Sequence, residues 1–300
     1  MNILLLGKDG QVGWELQRSL APVGHVIPVG RNDVNLEDAD GVRNYIRHSR
    51  PDIIVNAAGY TAVDKAESEP DKARLVNVTA VGAMADEAQA LGALLVHYST
   101  DYVFDGEKKS AYVEDDPVRP LSVYGVTKLE GENAIRQRHD RHMIFRTSWV
   151  YAARGRNFAR TILRLAREKE QLKVVADQYG APTSAELIAD VTALALYRFI
   201  HGTDRNTLTG TYHLVAGGET SWHGYARYVL DMAQQLGVGL RVAPPAVEAI
   251  ATSDYPLPAA RPKNSRLATD KLTNTFGVCV PDWRIQVRRM LDELLTRETA

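Results

Sequence analysis

Residues 2–13 read NILLLGKDGQVG. The opening NILLL is a short apolar run, as expected of a strand buried on both faces in a parallel sheet. Past the glycines, Val12, Leu16 and Leu20 recur at helical spacing, with Glu15 and Arg18 off that stripe. Between strand and helix lies a G-x-x-G-x-x-G turn, Gly7, Gly10 and Gly13. Glycines here let the backbone turn tightly and approach a pyrophosphate at the helix N-terminus, where unpaired N–H groups and the helix dipole favour an anion. The plainer alternative is a glycine-rich turn with no ligand. The strand before it and the helix after it favour a dinucleotide.

Working outward, the chain predicts a second strand at 25–29, a helix marked by Val42, Tyr45 and Ile46, and a third buried strand at 52–58, DIIVNAA. One long helix follows over 70–91, then strand 94–98, a helix beginning near Ser122, and strand 143–146. Strands alternating with helices predict an α/β fold, a Rossmann-like doubly wound parallel sheet. The expected division is a dinucleotide-binding domain over 1–150 and a smaller, mainly substrate-binding lobe over 151–300. In the second half, helices are expected at 157–168, 185–200, 221–236 and 283–295. Segments 173–176 and 211–216 are expected to return to the main sheet, and the Pro- and Ala-rich stretch 242–264 reads as irregular connection.

Composition narrows the class. The 300 residues carry 36 Lys and Arg against 37 Asp and Glu, a formal charge of −1, so no global field favours nucleic acid or an anionic membrane. A single cysteine, Cys279, excludes an intrachain disulfide framework and a Cys-rich zinc module. No apolar stretch approaches the ~18 residues of a transmembrane helix, and the first residues lack the charged and apolar regions of a signal peptide. A cytoplasmic protein is the expectation.

Three places carry candidate chemistry. At the end of the second strand, Val29-Gly30-Arg31, the acid that usually accepts the adenosine ribose 2′-hydroxyl is missing and a guanidinium stands beside the gap. That favours NADPH over NADH, since arginine suits a phosphate. The alternative leaves Arg31 solvated and gives the ribose contacts to Asp33, or to Asn35 and Leu36. The second place is Tyr124-x-x-x-Lys128, one helical turn apart. A phenol of pKa ~10 is a poor acid–base catalyst at neutral pH; a lysine ammonium about 4 Å away could lower it by the ~4 kcal/mol that ~3 units require. Alone, such a pair is equally an amphipathic surface pair. The third is Tyr98-Ser99-Thr100-Asp101-Tyr102-Val103-Phe104 at a strand's C-terminal end, where open α/β sheets place ligand-binding residues. Thr100 could hydrogen-bond a reacting carbonyl oxygen, or merely cap the backbone.

The segments STDYVFDG, YGVTKLEGE and DQYGAPT, with the glycine turn, resemble the dTDP-4-dehydrorhamnose reductases, an extended branch of the short-chain dehydrogenase/reductase superfamily. The likeness runs nearly end to end. It implies NAD(P)H-dependent reduction of the 4-keto group of dTDP-4-dehydro-6-deoxy-L-mannose to dTDP-L-rhamnose, a donor used in lipopolysaccharide O-antigen assembly. It implies that Tyr124 donates the proton, with Lys128 its partner and Thr100 orienting the carbonyl. Thr100, Asp101 and Trp149 would touch the sugar, and Gly10, Gln11 and Val12 the pyrophosphate. Gly59, Tyr60, Thr61 and Tyr98 would line the dinucleotide. Arg261, Lys263 and Arg266 are candidates for the substrate diphosphate, though ordinary surface charge accounts for them equally. Some family members are magnesium-dependent homodimers, and the matching acids are Glu15, Glu186 and Glu293. Two rivals stay open: another nucleotide-sugar reductase or epimerase, and a non-catalytic relative that acts by binding.

Overall fold

The computed structural model describes residues 1–299. Its main sheet holds β1 (Asn2–Leu6), β2 (His25–Val29), β3 (Ile53–Asn56), β4 (Leu94–Thr100), β5 (His142–Thr147) and the strand Gly210–His213. From one edge the order is Gly210–His213, β5, β4, β3, β1, β2, and every ladder is parallel. Side chains alternate across each strand. Ile3, Leu5, Ile53, Val55, Leu94 and Val96 therefore enter one core, and Leu4, Leu6, Ile54, Leu95 and Ile144 the other. Helix α1 (Gln11–Leu20) and the helix Ala185–His201 cover the first face; α2 (Ala39–Ser49), Ala80–Leu91 and Val123–Arg138 cover the second. The sheet is doubly wound. Its strand order reverses between β1 and β3, and such a reversal opens a crevice beyond the strands' C-terminal ends.

The first core continues without a break into the helices Phe158–Glu168, Trp222–Gln235 and Trp283–Thr299 through Ile162, Leu163, Tyr225, Val229, Trp283 and Leu291. The second half of the chain thus shares apolar contacts with the sheet itself. Segment 211–216 supplies a strand of the sheet, with Thr211 opposite Ile144. Segment 173–176 does not. Lys173–Val175 pairs in parallel with Glu248–Ile250 in a separate two-stranded sheet, its Lys173 joined to Glu248 at 3.1 Å. The free edge of β5 is already occupied by Gly210–His213, so the short strand found its partner inside the stretch that reads as irregular.

The expected single helix over 70–91 is also interrupted. Pro70–Arg74 and Ala80–Leu91 are joined by a π-helical turn, Leu75–Thr79. Such turns insert one extra residue and recur at functional sites.

Candidate active site

A cleft of about 830 Å³ opens at the strand-order reversal. Gly7, Gly10, Gln11, Val12, Arg31, Asn35 and Leu36 lie on its wall, as do Gly59, Tyr60, Thr61, Tyr98, Thr100, Asp101, Tyr124, Lys128 and Trp149. Gly13 is the exception. It sits behind the wall, where a Cβ would come 2.0 Å from the Gly7 carbonyl oxygen, so its bare backbone lets α1 pack onto the turn. Gly7 has φ +91°, and a Cβ there would meet the Ala57 carbonyl carbon at 2.8 Å. Helix α1 begins at Gly10 with no side-chain cap and no acid in its first turn. Its free N–H groups and dipole are open to an anion at the cleft, which fits a dinucleotide pyrophosphate.

At the far end of this wall, Asp33 is already engaged. Its Oδ2 accepts from Gly30 N at 2.8 Å and from Lys8 Nζ at 2.7 Å, and it is off the cleft wall. Arg31 is largely exposed and holds Glu37 at 2.7 Å, while Lys72 approaches the same carboxylate at 3.4 Å. A cation pair thus stands at the strand end, with one acid between them.

The 59–61 loop is held by Asn77, which the π turn delivers. Asn77 Oδ1 accepts from Tyr60 N at 2.9 Å, and its Nδ2 donates to Tyr60 O at 3.2 Å and Thr127 Oγ1 at 3.1 Å. One buried amide thereby ties the loop to the helix that carries Tyr124 and Lys128.

That helix, Val123–Arg138, starts at Ser122, whose hydroxyl accepts from Gly125 N at 3.2 Å. Tyr124 and Lys128 project from one face into the cleft. Burial pushes the Tyr124 phenol up to about 12; a nearby Thr100 hydroxyl holds it down and the Asp101 carboxylate adds to the rise. The expected lowering of the phenol by Lys128 is not found. Lys128 Nζ instead donates to Tyr98 O at 2.6 Å and meets His97 Nε2 at 3.0 Å, while the Tyr124 ring lies edge-on to Tyr102. An acid in the reductive direction must start protonated, and a high pKa keeps it so. Burial lowers the Lys128 ammonium to about 8, against the pull of Glu132.

Thr100 Oγ1 donates to Asp101 Oδ1 at 3.0 Å and accepts from Tyr102 N at 3.2 Å. Asp101 is buried, which raises its carboxyl to about 6, while the Ser265 and Thr100 hydroxyls hold it down. Trp149, at φ +49°, stacks on Trp222 with ring centroids 3.6 Å apart. Arg261, Lys263 and Arg266 do not line the cleft; they turn to Asp64 at 2.7 Å, Asp177 at 3.8 Å and Glu219 at 3.1 Å. Arg156 does line it.

Burial first, then the charges of Glu186 and Glu293, raise the Glu15 carboxyl. Yet Glu15 lies 3.6 Å from Arg18 and Glu186 lies 3.2 Å from Arg289. Among the described residues no group of three His, Cys, Asp or Glu side chains is close enough to hold a metal ion. The expected magnesium ligands therefore do not fit a metal centre within one chain.

His97, Asn56, Asn77, Trp222 and Arg156 are absent from the sequence reading. His97 and Asn56 lie inside apolar strands, and Asn77 inside an apparent helix, so periodicity marks them only as core. Trp222 and Arg156 meet the site through packing of distant segments.

Residues 1–296 match the family model described as RmlD substrate binding domain. The chain is 52% identical over 303 residues to dTDP-4-dehydrorhamnose reductase of Salmonella typhimurium, covering 100% of each. It is 51% identical to the Shigella flexneri enzyme of that name, covering 99% of each. The solved dTDP-4-dehydrorhamnose reductase of Bacillus anthracis in complex with NADP superposes with TM-score 0.85 at 32% identity, covering 97% of this chain and 99% of that one. The Clostridium acetobutylicum structure superposes with TM-score 0.88 at 34% identity, covering 98% and 100%. Full-length matches in sequence and in fold agree with the glycine turn and the Tyr124–Lys128 pair, and the chain belongs to the dTDP-4-dehydrorhamnose reductase family.

Proposed function

We propose that the protein reduces the 4-keto group of dTDP-4-dehydro-6-deoxy-L-mannose to dTDP-L-rhamnose, with NADPH preferred over NADH. The single observation that carries this is the placement of Tyr124, Thr100 and Lys128 in the same cleft as the uncapped N-terminus of α1. Bound there, the nicotinamide cofactor supplies the hydride. Gly10, Gln11 and Val12 hold the pyrophosphate through the N–H groups of α1. Gly59, Tyr60, Thr61 and Tyr98 line the nucleotide, and Arg31 reads the 2′-phosphate, with Asn35 and Leu36 beside it. Tyr124 gives its hydroxyl proton to the carbonyl oxygen as negative charge develops there; the Thr100 hydroxyl steadies the phenolate left behind, and Lys128, which does not lower the phenol in this cleft, would add its charge only once turned toward it. Asp101 and Trp149 contact the sugar, in keeping with a carboxylate and an indole on the cleft wall.

The test is a 340 nm absorbance trace with NADPH and dTDP-4-dehydro-6-deoxy-L-mannose, with the product identified. NADPH oxidation yielding dTDP-L-rhamnose supports the reading. Turnover of a different nucleotide sugar alone, or cofactor binding without turnover, would overturn it.

The same reading includes a homodimer. Its support is that Glu15 on α1 feels the charges of Glu186 and Glu293 from two other helices, a negative patch that a divalent cation shared with a second copy would neutralise. Sedimentation in magnesium and in EDTA decides this: a mass that stays monomeric in both removes the dimer, and a dimer indifferent to EDTA removes the metal.

A further inference from the structure

Lys128 is the inner end of a four-residue chain of hydrogen bonds whose directions the backbone fixes. Ala58 N donates to Asn56 Oδ1 at 3.1 Å, which identifies that end of the amide as the oxygen. Asn56 Nδ2 then faces His97 Nδ1 at 3.0 Å. An amide NH₂ only donates, so Nδ1 accepts and the imidazole proton sits on Nε2. That Nε2 lies 3.0 Å from Lys128 Nζ. An ammonium has donors and no acceptor, so against Nε2–H it would set donor to donor. The contact is a hydrogen bond when Lys128 is a neutral amine, accepting from His97 while donating to Tyr98 O at 2.6 Å.

We propose that His97 is a positioning residue for the reaction: with its tautomer set by Asn56, it holds Lys128 in the cleft and favours its neutral form, fixing the pH range over which the Tyr124–Lys128 pair works. Its role in turnover rests on the reductase reading above; its hold on Lys128 does not.

Both groups are shut away from water, His97 at 1% and Lys128 at 5% exposure, so a mismatched proton is not repaired by solvent. The displacement of both titrations agrees in direction. Burial lowers the Lys128 ammonium to about 8, and burial together with Lys128 holds the His97 imidazolium well below its ordinary range. Glu132, one turn further along the helix, pulls Lys128 the other way, but it is shared between Arg136 at 2.6 Å and Arg146 at 2.8 Å. Around the helix stand Asp101 and Tyr102 after β4, Tyr124 in its first turn, Glu67 accepting from Val123 N, and Arg74 bonded to Glu130 at 2.6 Å.

The sign follows. The ammonium form is the one that stabilises a Tyr124 phenolate, and it is lost as pH rises through the Lys128 pKa. The alkaline limb of kcat/KM, which reports groups of the free protein, therefore falls near pH 8 in the native protein. In His97→Gln the side-chain carbonyl can accept from the ammonium, and the limb moves up by about one pH unit, a tenfold tighter hold on the proton.

Two measurements test this. In the cofactor-free protein, long-range ¹H–¹⁵N spectra report the His97 tautomer, and the ¹³Cε shift of Lys128, assigned with Lys128→Met, reports its titration. An Nε2-protonated ring, a Lys128 titration near pH 8 that rises in His97→Gln, and an alkaline kcat/KM limb that rises with it support the proposal. A proton on Nδ1 in the native protein overturns it without any variant. So does a Lys128 titration that His97→Gln leaves in place while the variant melts at the native temperature. The expected spectra with no turnover of the dTDP sugar would count against the reductase reading and leave His97's hold on Lys128 standing.

Discussion

At the residue scale, the proton donor and the phosphate reader make separable demands. Tyr124→Phe removes one hydroxyl from a half-buried ring and should lower kcat by ~10²–10⁴-fold, the typical contribution of a general acid. NADPH affinity should stay within a few-fold, as fluorescence titration would record. Turnover near that of the native protein would remove Tyr124 from the role. For cofactor choice, Gly30→Asp is a mixed probe, because its Cβ would come 2.4 Å from Asp9 Oδ2 and so displace that carboxylate as well as adding its own. Arg31 and its partner Glu37 are cleaner. Arg31→Ala should reduce kcat/KM for NADPH roughly tenfold, about 1.4 kcal/mol, with little effect on NADH. Glu37→Gln should act in the opposite sense, since it frees Arg31 and removes a like charge from the phosphate. Equal loss for both cofactors in Arg31→Ala would mean that the guanidinium only holds its loop. The residue types were legible because their spacing is local: three glycines in one turn, Tyr124 and Lys128 one turn apart. The tuning of the phenol was not, since burial and the orientation of Lys128 come from segments that spacing does not relate.

At the scale of elements, the π turn Leu75–Thr79 is the piece that joins cofactor loop to catalytic helix. Asn77→Ala would leave Tyr60 N and Tyr60 O without this side-chain partner and Thr127 Oγ1 with only its bond to Tyr124 O. A lost buried partner costs about 1–3 kcal/mol, so denaturant unfolding should show a drop of that order, and NADPH should bind more weakly. Unchanged cofactor affinity would mean that the loop keeps its shape without the amide. The six sheet strands were legible because apolar runs bounded by turns are hard to mistake in a doubly wound sheet. One inserted residue in a helix shifts the apolar stripe too little to read. The pairing of Lys173–Val175 with Glu248–Ile250 spans 75 residues between Lys173 and Glu248, and nothing in either short run names its partner.

At the scale of the molecule, buried histidines set a lower pH limit. His213 is buried in the main sheet, and burial with the charge of Arg146 lowers its pKa to about 3, against the backbone of Ala268 and Tyr112. An unfolded histidine titrates near 6.5, so between those values the unfolded chain binds the extra proton and stability falls with pH. At pH 5 this single group withdraws about 2 kcal/mol relative to pH 7.5. His97, His139 and His142 are depressed by burial and act in the same sense. Urea unfolding at pH 7.5 and 5.0 should show the fall, and His213→Gln should show less of it. An equal fall in both would clear His213. Nearby, Glu132 and Arg146 form a buried pair, 0% and 3% exposed at the side chain. Arg146→Met would leave the carboxylate to Arg136 alone, at 2.6 Å, and should cost less than the ~3–5 kcal/mol of a fully stranded charge, read as a lowered urea midpoint at constant slope.

The stack of Trp149 on Trp222 also makes the protein its own optical gauge. Two indoles 3.6 Å apart and within 15° of parallel share their excited states, and they are half of the chain's four tryptophans. Exciton coupling between them should give a paired positive and negative band in the circular dichroism near 225 nm (roughly). A ligand that presses on Trp149 and tilts it changes the angle between the two transition moments, so the band pair should shrink as the cleft fills, with no label attached.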